Sequence, residues 1–443
     1  MAQIRDGFQS RLGFVLAAAG AAVGLGNIWG FPTQAANHGG GAFLLVYFIV
    51  IFLLALPALF TELYIGHSAQ ANPVKALAQA CQSTSKRMGA TAGYIGLAGA
   101  IVMLSFYSIV AGWMLAFALE PIATLLGFTE IANFLKSDSL LRNFIFTPLM
   151  LILTASIILK GVKSGIEVWS RRLMPVLLVL LLVLIAYIGT LEGASNGFKA
   201  YLVPDFSKVT DPDLIIAAMG QAFFSLSLGV GCMMIYGSYL KRDANVAKMS
   251  ISVAMLDTSV AFLAGLLIIP ALYVAQAQGV EIMQGGKLIG EGQLIFAVLP
   301  QLFATLGAFG LAVACVFFVL MSIASLTSTI SSTEIPVSFL VENHGFDRKP
   351  ATWLVTAIVG ICSSVIIVNF DWLFGLVITV FTQYQLPLMG LFYFVVVGWL
   401  WKRGNQLHES NRLGYKVLAN YIRFICPILM LAVFANLALN NGH

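Results

Sequence analysis

The 443-residue chain is 59% hydrophobic and only 10% charged, where a soluble domain carries about 25% charged residues. That composition excludes a water-soluble globular protein, and long apolar runs without strict alternation exclude a closed β-barrel. The net charge of +5 sits on no soluble basic domain, so nucleic acid is not an expected partner.

In chain order, eleven apolar runs are long enough to cross a bilayer: about 12–36, 41–66, 91–122, 143–160, 173–191, 213–240, 247–275, 304–336, 351–369, 372–401 and 419–439. The expectation is an all-α integral membrane protein with the lipid bilayer as its surroundings. The first run is too long for a cleavable signal and lacks a small-residue cleavage site. With the N-terminus in the cytoplasm, 19 of the 24 Lys and Arg residues fall on the inner face. Only Lys136, Arg142, Lys199, Lys208 and Lys287 stay outside. This bias predicts a cytoplasmic N-terminus and an external C-terminus. Cys81, Cys232, Cys315, Cys362 and Cys426 are scattered without metal-ligand spacing and read as small apolar residues.

Two runs are irregular. The first holds GAAVGLGNIWGFP at residues 20–32, and the sixth holds GQAFFSLSLGVG at residues 220–231. Each glycine costs about 1 kcal/mol relative to alanine in a helix interior. One reading is close helix packing through the GxxxG pairs Gly20/Gly24 and Gly26/Gly30. It leaves Asn27, Ser225 and Ser227 in the same turns unexplained. The other reading is a pair of discontinuous helices. Their freed carbonyls can hold a cation, and their half-helix N-termini can hold a carboxylate. Runs one and six correspond if the ten leading runs divide into two groups of five, and an odd group inverts the second copy.

RLGFVLAAAGAAVGLGNIWGFP at 11–32, NHGGGAFLLVY at 37–47, GQAFFSLSLGVG and SLTSTIS at 325–331 closely resemble the neurotransmitter:sodium symporter family, from Arg11 to about Trp401. The resemblance implies a five-plus-five inverted repeat with an extra terminal helix. Its parts would be a cytoplasmic segment 1–11, a first repeat 12–191, a second repeat 192–401, and a loop with helix eleven at 402–443. It implies sodium-coupled import of an amino acid or related small zwitterion by alternating access, in a bacterial inner membrane. Two Na⁺ sites are expected. One would use Ala22, Asn27, Ser225 and Asp257. The other would use the carbonyls of Gly20, Val23 and Ala324 with the hydroxyls of Thr327 and Ser328. All are hard oxygen donors.

Many members, the animal transporters especially, carry Asn at position 257 and bind chloride nearby. Asp257 is a mid-span carboxylate and implies chloride-independent transport, either balancing sodium or taking up a proton on the return step. The substrate carboxylate would meet amides near Gly24, Leu25 and Gly26, with Tyr107 adding a hydroxyl and Phe224 forming a lid. The pocket would be lined by Ala21, Ala22, Met103, Tyr107, Phe224, Ser225, Ser227, Val230, Ser328 and Ser332. Ala21 is not the Asp that suits monoamines. Ser332 is polar where an aliphatic residue is common.

The outer-gate arginine position is occupied by Gly30, so its usual ion pair with an acid on helix ten, here Asp371, cannot form in the ordinary way. Arg5 and Glu342 match the inner gate pair, with Ser238 and Tyr239 supporting it. Glu62 is expected to hydrogen-bond freed backbone near helix one, and Glu334 to be structural. No His falls mid-span to partner a serine nucleophile, so an enzyme is not expected. A non-transporting sensor on the same fold and a mainly proton-driven symporter remain alternatives.

Overall fold

The computed structural model describes residues 7–284, 287–288, 294–401 and 413–432. The fold is helical, apart from a two-residue antiparallel ladder between Met283–Gln284 and Lys287–Leu288. Span 1 is the bent pair Arg11–Ala22 and Gly26–Asn37. Spans 2 to 5 are Gly41–Ala69, Lys86–Leu125, Leu140–Ile158 and Val162–Ile188. Span 6 consists of Pro212–Ser225 and Cys232–Ser238. Spans 7 to 11 are Val246–Ala277, Phe309–His344, Arg348–Val368, Phe370–Leu400 and Gly414–Ala432. Neither half of span 6 is long enough to cross a bilayer alone. Judged by length, the described residues therefore give nine spans, or ten with the bent pair.

Each of the eleven expected runs meets one of these elements, but several boundaries move. Span 5 begins at Val162, not near 173, because the charged stretch VKSGIEVWSRR continues the helix toward the bundle end. Span 3 runs 40 residues, beyond both expected ends. Span 8 does not start at 304: Leu299–Thr305 is a separate short helix, and Gly307, at φ +65°, turns the chain between them.

The connections after spans 2, 4, 6 and 8, with Lys75, Lys160, Lys241 and Arg348 in or beside them, lie at one end of the bundle, here the basic end. The helices Thr129–Lys136 and Ala194–Leu202 lie at the opposite end. Span 3 packs along span 8, and span 1 contacts spans 5, 7 and 8. The second half of span 6 packs on span 2. This leaves the interruptions of spans 1 and 6 in the protein interior, where unwound backbone can find protein partners instead of lipid.

Both interruptions are visible in the backbone. Ser10 caps span 1 by accepting Gly13 N–H, and the first half ends where Val23 turns extended, at ψ 109°. The second half then leaves at a 56° bend. Span 6 stops at Ser225. Ser227, Gly229 and Gly231 follow with φ of +51°, +90° and +84° before the helix resumes at Cys232. A Cβ on Gly229 would also come within 2.5 Å of the Leu386 carbonyl oxygen. Left-handed backbone and close approach both require glycine there.

Candidate functional site

At the span 1 break, Asn27 bridges the freed backbone to span 7. Its Oδ1 accepts the Gly24 N–H at 3.1 Å. Its Nδ2 donates to Asp257 Oδ1 at 2.8 Å and to the Asp257 carbonyl at 3.1 Å. At the end of the first half of span 6, Ser225 Oγ donates to Asp257 Oδ2 at 2.9 Å. Asn27, Ser225 and Asp257 are all fully buried. Among the described residues no Lys, Arg or His forms an ion pair with Asp257. A buried carboxylate flanked only by neutral groups is costly unless a cation joins it. The arrangement can hold a small hard cation.

A second group of oxygens gathers where span 8 passes the same break. Ser328 Oγ donates to the Val23 carbonyl at 3.3 Å. Thr327 Oγ1 donates to the Ala324 carbonyl at 2.9 Å. The Thr327 Cβ lies 3.5 Å from where a Cβ on Gly20 would stand. The structure thus brings Gly20, Val23, Ala324, Thr327 and Ser328 into one neighbourhood.

Between these groups lies the backbone of Gly24 to Gly26. Leu25 N–H donates to Tyr107 Oη at 3.0 Å. A Cβ on Gly24 would fall 2.4 Å from Ser328 Oγ and 2.5 Å from Tyr107 Oη, so any side chain there would displace both hydroxyls. Phe224 packs against Gly26, and Ser227 Oγ donates to the Ala21 carbonyl at 3.1 Å. Ala21, Ala22, Met103 and Val230 belong to the same buried core, and Ser332 is also buried.

A cavity of about 790 Å³ opens beyond Leu25, Tyr107 and Phe224 toward the opposite end. Its aromatic walls include Trp29, Trp113, Phe370 and Phe374, and Asp213, His38 and Gln221 add polar groups. Gly30 lies in this wall. Gln221 takes up the room beside it, its Oε1 3.0 Å from where a Cβ would be, and its Nε2 donates to the Gly26 carbonyl at 2.6 Å. Asp371 is exposed and forms no ion pair among the described residues.

The basic end is closed by packing. Phe8 donates its N–H to the Tyr239 carbonyl at 3.3 Å and sets its ring edge-on to Phe14, Tyr236 and Tyr239. Glu167 of span 5 accepts Gln9 N–H at 2.8 Å and Ser10 Oγ at 3.0 Å. Arg5 lies outside the described residues. Its expected partner Glu342 accepts Asn72 N–H at 2.8 Å and Asn72 Nδ2 at 2.9 Å. Ser238 Oγ donates to the Ile235 carbonyl at 2.5 Å. Tyr239 Oη donates to Glu334 at 2.6 Å, and the two terminal nitrogens of Arg348 grip the same carboxylate.

Glu62 departs from expectation in one respect. The freed backbone it serves belongs to span 6, not span 1: its carboxylate accepts Gly229, Met233 and Met234 N–H at 3.1, 3.1 and 3.3 Å. The reason is packing, since span 2 lies against the second half of span 6. Gln221, Glu167 and Arg348 escaped the sequence reading. Gln221 lies in the quoted GQAFFSLSLGVG stretch, and that glycine-flanked context is the only signal that could have singled it out.

A broken-helix bundle with buried oxygen clusters at both interruptions has the architecture of a secondary transporter. The model of the sodium:neurotransmitter symporter family matches residues 5–147 and 141–441, and the chain belongs to that family. It is 33% identical to the uncharacterised sodium-dependent transporter YhdH of Bacillus subtilis, over 97% of this chain and 96% of that one. It is 26% identical to the sodium- and chloride-dependent GABA transporter 2 of Mus musculus, over 97% of this chain and 79% of that one. The solved structure of MhsT in complex with L-phenylalanine is similar with a TM-score of 0.82 and 34% identity, covering 97% of this chain and 99% of that one. The chain is therefore a sodium-dependent, multi-pass membrane transporter of this family.

Proposed function

We propose that the protein imports an amino acid or a closely related zwitterion, driven by two sodium ions. The observation that carries this reading is the junction of both broken helices at Asp257, through Asn27 and Ser225. The first ion takes oxygens from Ala22, Asn27, Ser225 and Asp257, and its charge answers the buried carboxylate. The second takes the carbonyls of Gly20, Val23 and Ala324 and the hydroxyls of Thr327 and Ser328. The substrate carboxylate lies beside the first ion, against the amides of Gly24, Leu25 and Gly26 and the Tyr107 hydroxyl. Phe224 closes over it. The L-phenylalanine complex of the MhsT neighbour supports an amino acid over a monoamine.

Transport is chloride-independent, because Asp257 supplies a fixed negative charge beside the first ion. The chain is organised as two inverted repeats, 12–191 and 192–401, with 1–11 and 402–443 outside them. The N-terminus faces the cytoplasm, so the Phe8 closure is internal and the 790 Å³ cavity is an outer vestibule. In this conformation the pathway is shut inside and approached from outside. Inner gating adds the Arg5–Glu342 pair, supported by Ser238 and Tyr239. With Gly30 in place of an arginine and Asp371 unpaired, outer closure depends on Tyr107, Phe224 and Gln221.

Purified protein in liposomes tests this directly. An inward sodium gradient should accumulate labelled amino acid, potassium should not replace sodium, and gluconate should replace chloride without loss. Binding without accumulation would instead indicate a sensor.

A further inference from the structure

Span 11 carries a basic residue well inside its length, Arg423. A charge at such a place is rare unless it has a task. Its backbone is pressed against the end of span 10. A Cβ on Gly398 would stand 2.9 Å from the Arg423 Cα, and Trp399 Nε1 donates to the Arg423 carbonyl at 3.0 Å. The guanidinium lies over the Trp399 ring, 4.4 Å from its centroid, and 5.5 Å from that of Phe424. The two rings meet edge-on at 5.4 Å. The cation is thereby held in place instead of reaching toward water. Among the described residues Arg423 forms no ion pair, and its Nε is enclosed without a hydrogen-bond partner. Ring faces offset part of the charge, but they offer no oxygens to the planar donor fork.

The position of the fork limits what can answer it. Trp399 belongs to the last turn of span 10, which ends at Leu400. The guanidinium therefore lies close to the level where the basic end leaves the hydrocarbon, the depth that tryptophan favours. Trp399 and Phe424 are 50% and 46% exposed, on the outside of the bundle, and Ile428, one turn deeper, is exposed as well. A molecule at this place lays apolar chains against Phe424 and Ile428 and brings an anionic group level with Arg423. Lys416 stands seven residues earlier, exposed on the same side of the helix, about 10 Å nearer the basic end. A head group carrying its own ammonium would be pushed against that lysine. One without an ammonium would not.

We propose that Arg423, with Trp399 and Lys416, forms a site for an anionic phospholipid of the leaflet at the basic end, its phosphate taking the guanidinium fork. Two parallel N–H···O bonds to phosphate suit arginine better than lysine. The test is native mass spectrometry of the full-length protein in detergent. It is titrated with phosphatidylglycerol, with phosphatidylcholine of the same chains, and with glycerophosphoglycerol, the head group alone. The first phosphatidylglycerol should bind about tenfold tighter than phosphatidylcholine, the scale of a hydrogen bond between charged groups. Arg423→Gln should bring that ratio close to one, and Arg423→Lys should keep only part of it. Lys349→Gln, which removes an exposed charge from the same end on span 9, should leave it unchanged. No preference in the wild type, or an equal loss in Lys349→Gln, would overturn the site in favour of diffuse attraction. Equal binding of the chainless head group would show a free-phosphate site and overturn the lipid. A lipid-free dimer that Arg423→Gln dissociates would give the arginine to a second copy of the chain and overturn the proposal likewise.

Discussion

Asp257 shows how much one side chain can determine in a low-dielectric interior. Both its oxygens are engaged, by an amide nitrogen and a hydroxyl, and neither partner carries charge. Breaking a buried charge pair costs about 3–5 kcal/mol, so replacing the carboxylate with an amide should weaken the proposed first sodium site strongly. Asp257→Asn is expected to raise the sodium half-saturation at least tenfold in chloride-free medium. Added chloride should recover part of the loss, because an anion can then occupy the space beside the ion. Uptake measured over a sodium series with and without chloride checks both effects. Asn27 and Ser225 stood out in the sequence as polar groups amid apolar, glycine-rich turns, and Asp257 as a carboxylate within an apolar run, while their expected roles came from the family resemblance. The bonds that join them span up to 230 residues, and no local pattern specifies such pairings. The same limit misplaced Glu62, whose acidic character was evident while its target helix was not.

At the scale of elements, the two interruptions survive because protein groups take up many of the freed amides, Asn27 that of Gly24 and Tyr107 that of Leu25. Glu62 holds three of those of span 6. Glu62→Ala would strand them in a dry interior at about 1–3 kcal/mol each. The expected result is a clear drop in thermal midpoint in detergent, with weaker substrate binding in whatever folds. Close packing adds to this: a Cβ on Gly66 would come within 1.9 Å of the Met234 carbonyl oxygen, so the same two elements allow no side chain between them. Glycine content announced that spans 1 and 6 were irregular. It did not distinguish a packing glycine such as Gly66 from an unwinding one such as Gly229, because both look alike in one dimension. Helix ends were the least legible feature. Span 5 reaches 11 residues earlier than hydropathy suggested, since a helix can continue on polar residues once it leaves the lipid.

For the whole molecule, the basic end is held by a short N-terminal strap. Phe8 fills an aromatic nest and Glu167 clamps the next two residues. Removing a buried phenyl ring costs about 3–5 kcal/mol, and that loss falls only on the closed state. Phe8→Ala is expected to shift the population toward opening at this end. Hydrogen exchange read by mass spectrometry should show faster exchange across residues 8–22 and little change in spans 3 and 8. Unaltered exchange would mean the strap does not control that end. None of this was evident in sequence, where Phe8 precedes the first apolar run and looks like an ordinary surface residue.

The split of span 6 also bears on how such chains are drawn. A survey that accepts only long, unbroken apolar helices would leave it out. Each omitted crossing exchanges the two sides of the membrane for everything downstream. Eleven crossings put the two ends of a chain in different compartments, and ten would put them in one. With the N-terminus inside, as proposed above, a phosphatase fused after span 11 should be active outside the cell, while a green fluorescent protein at the same place should stay dark.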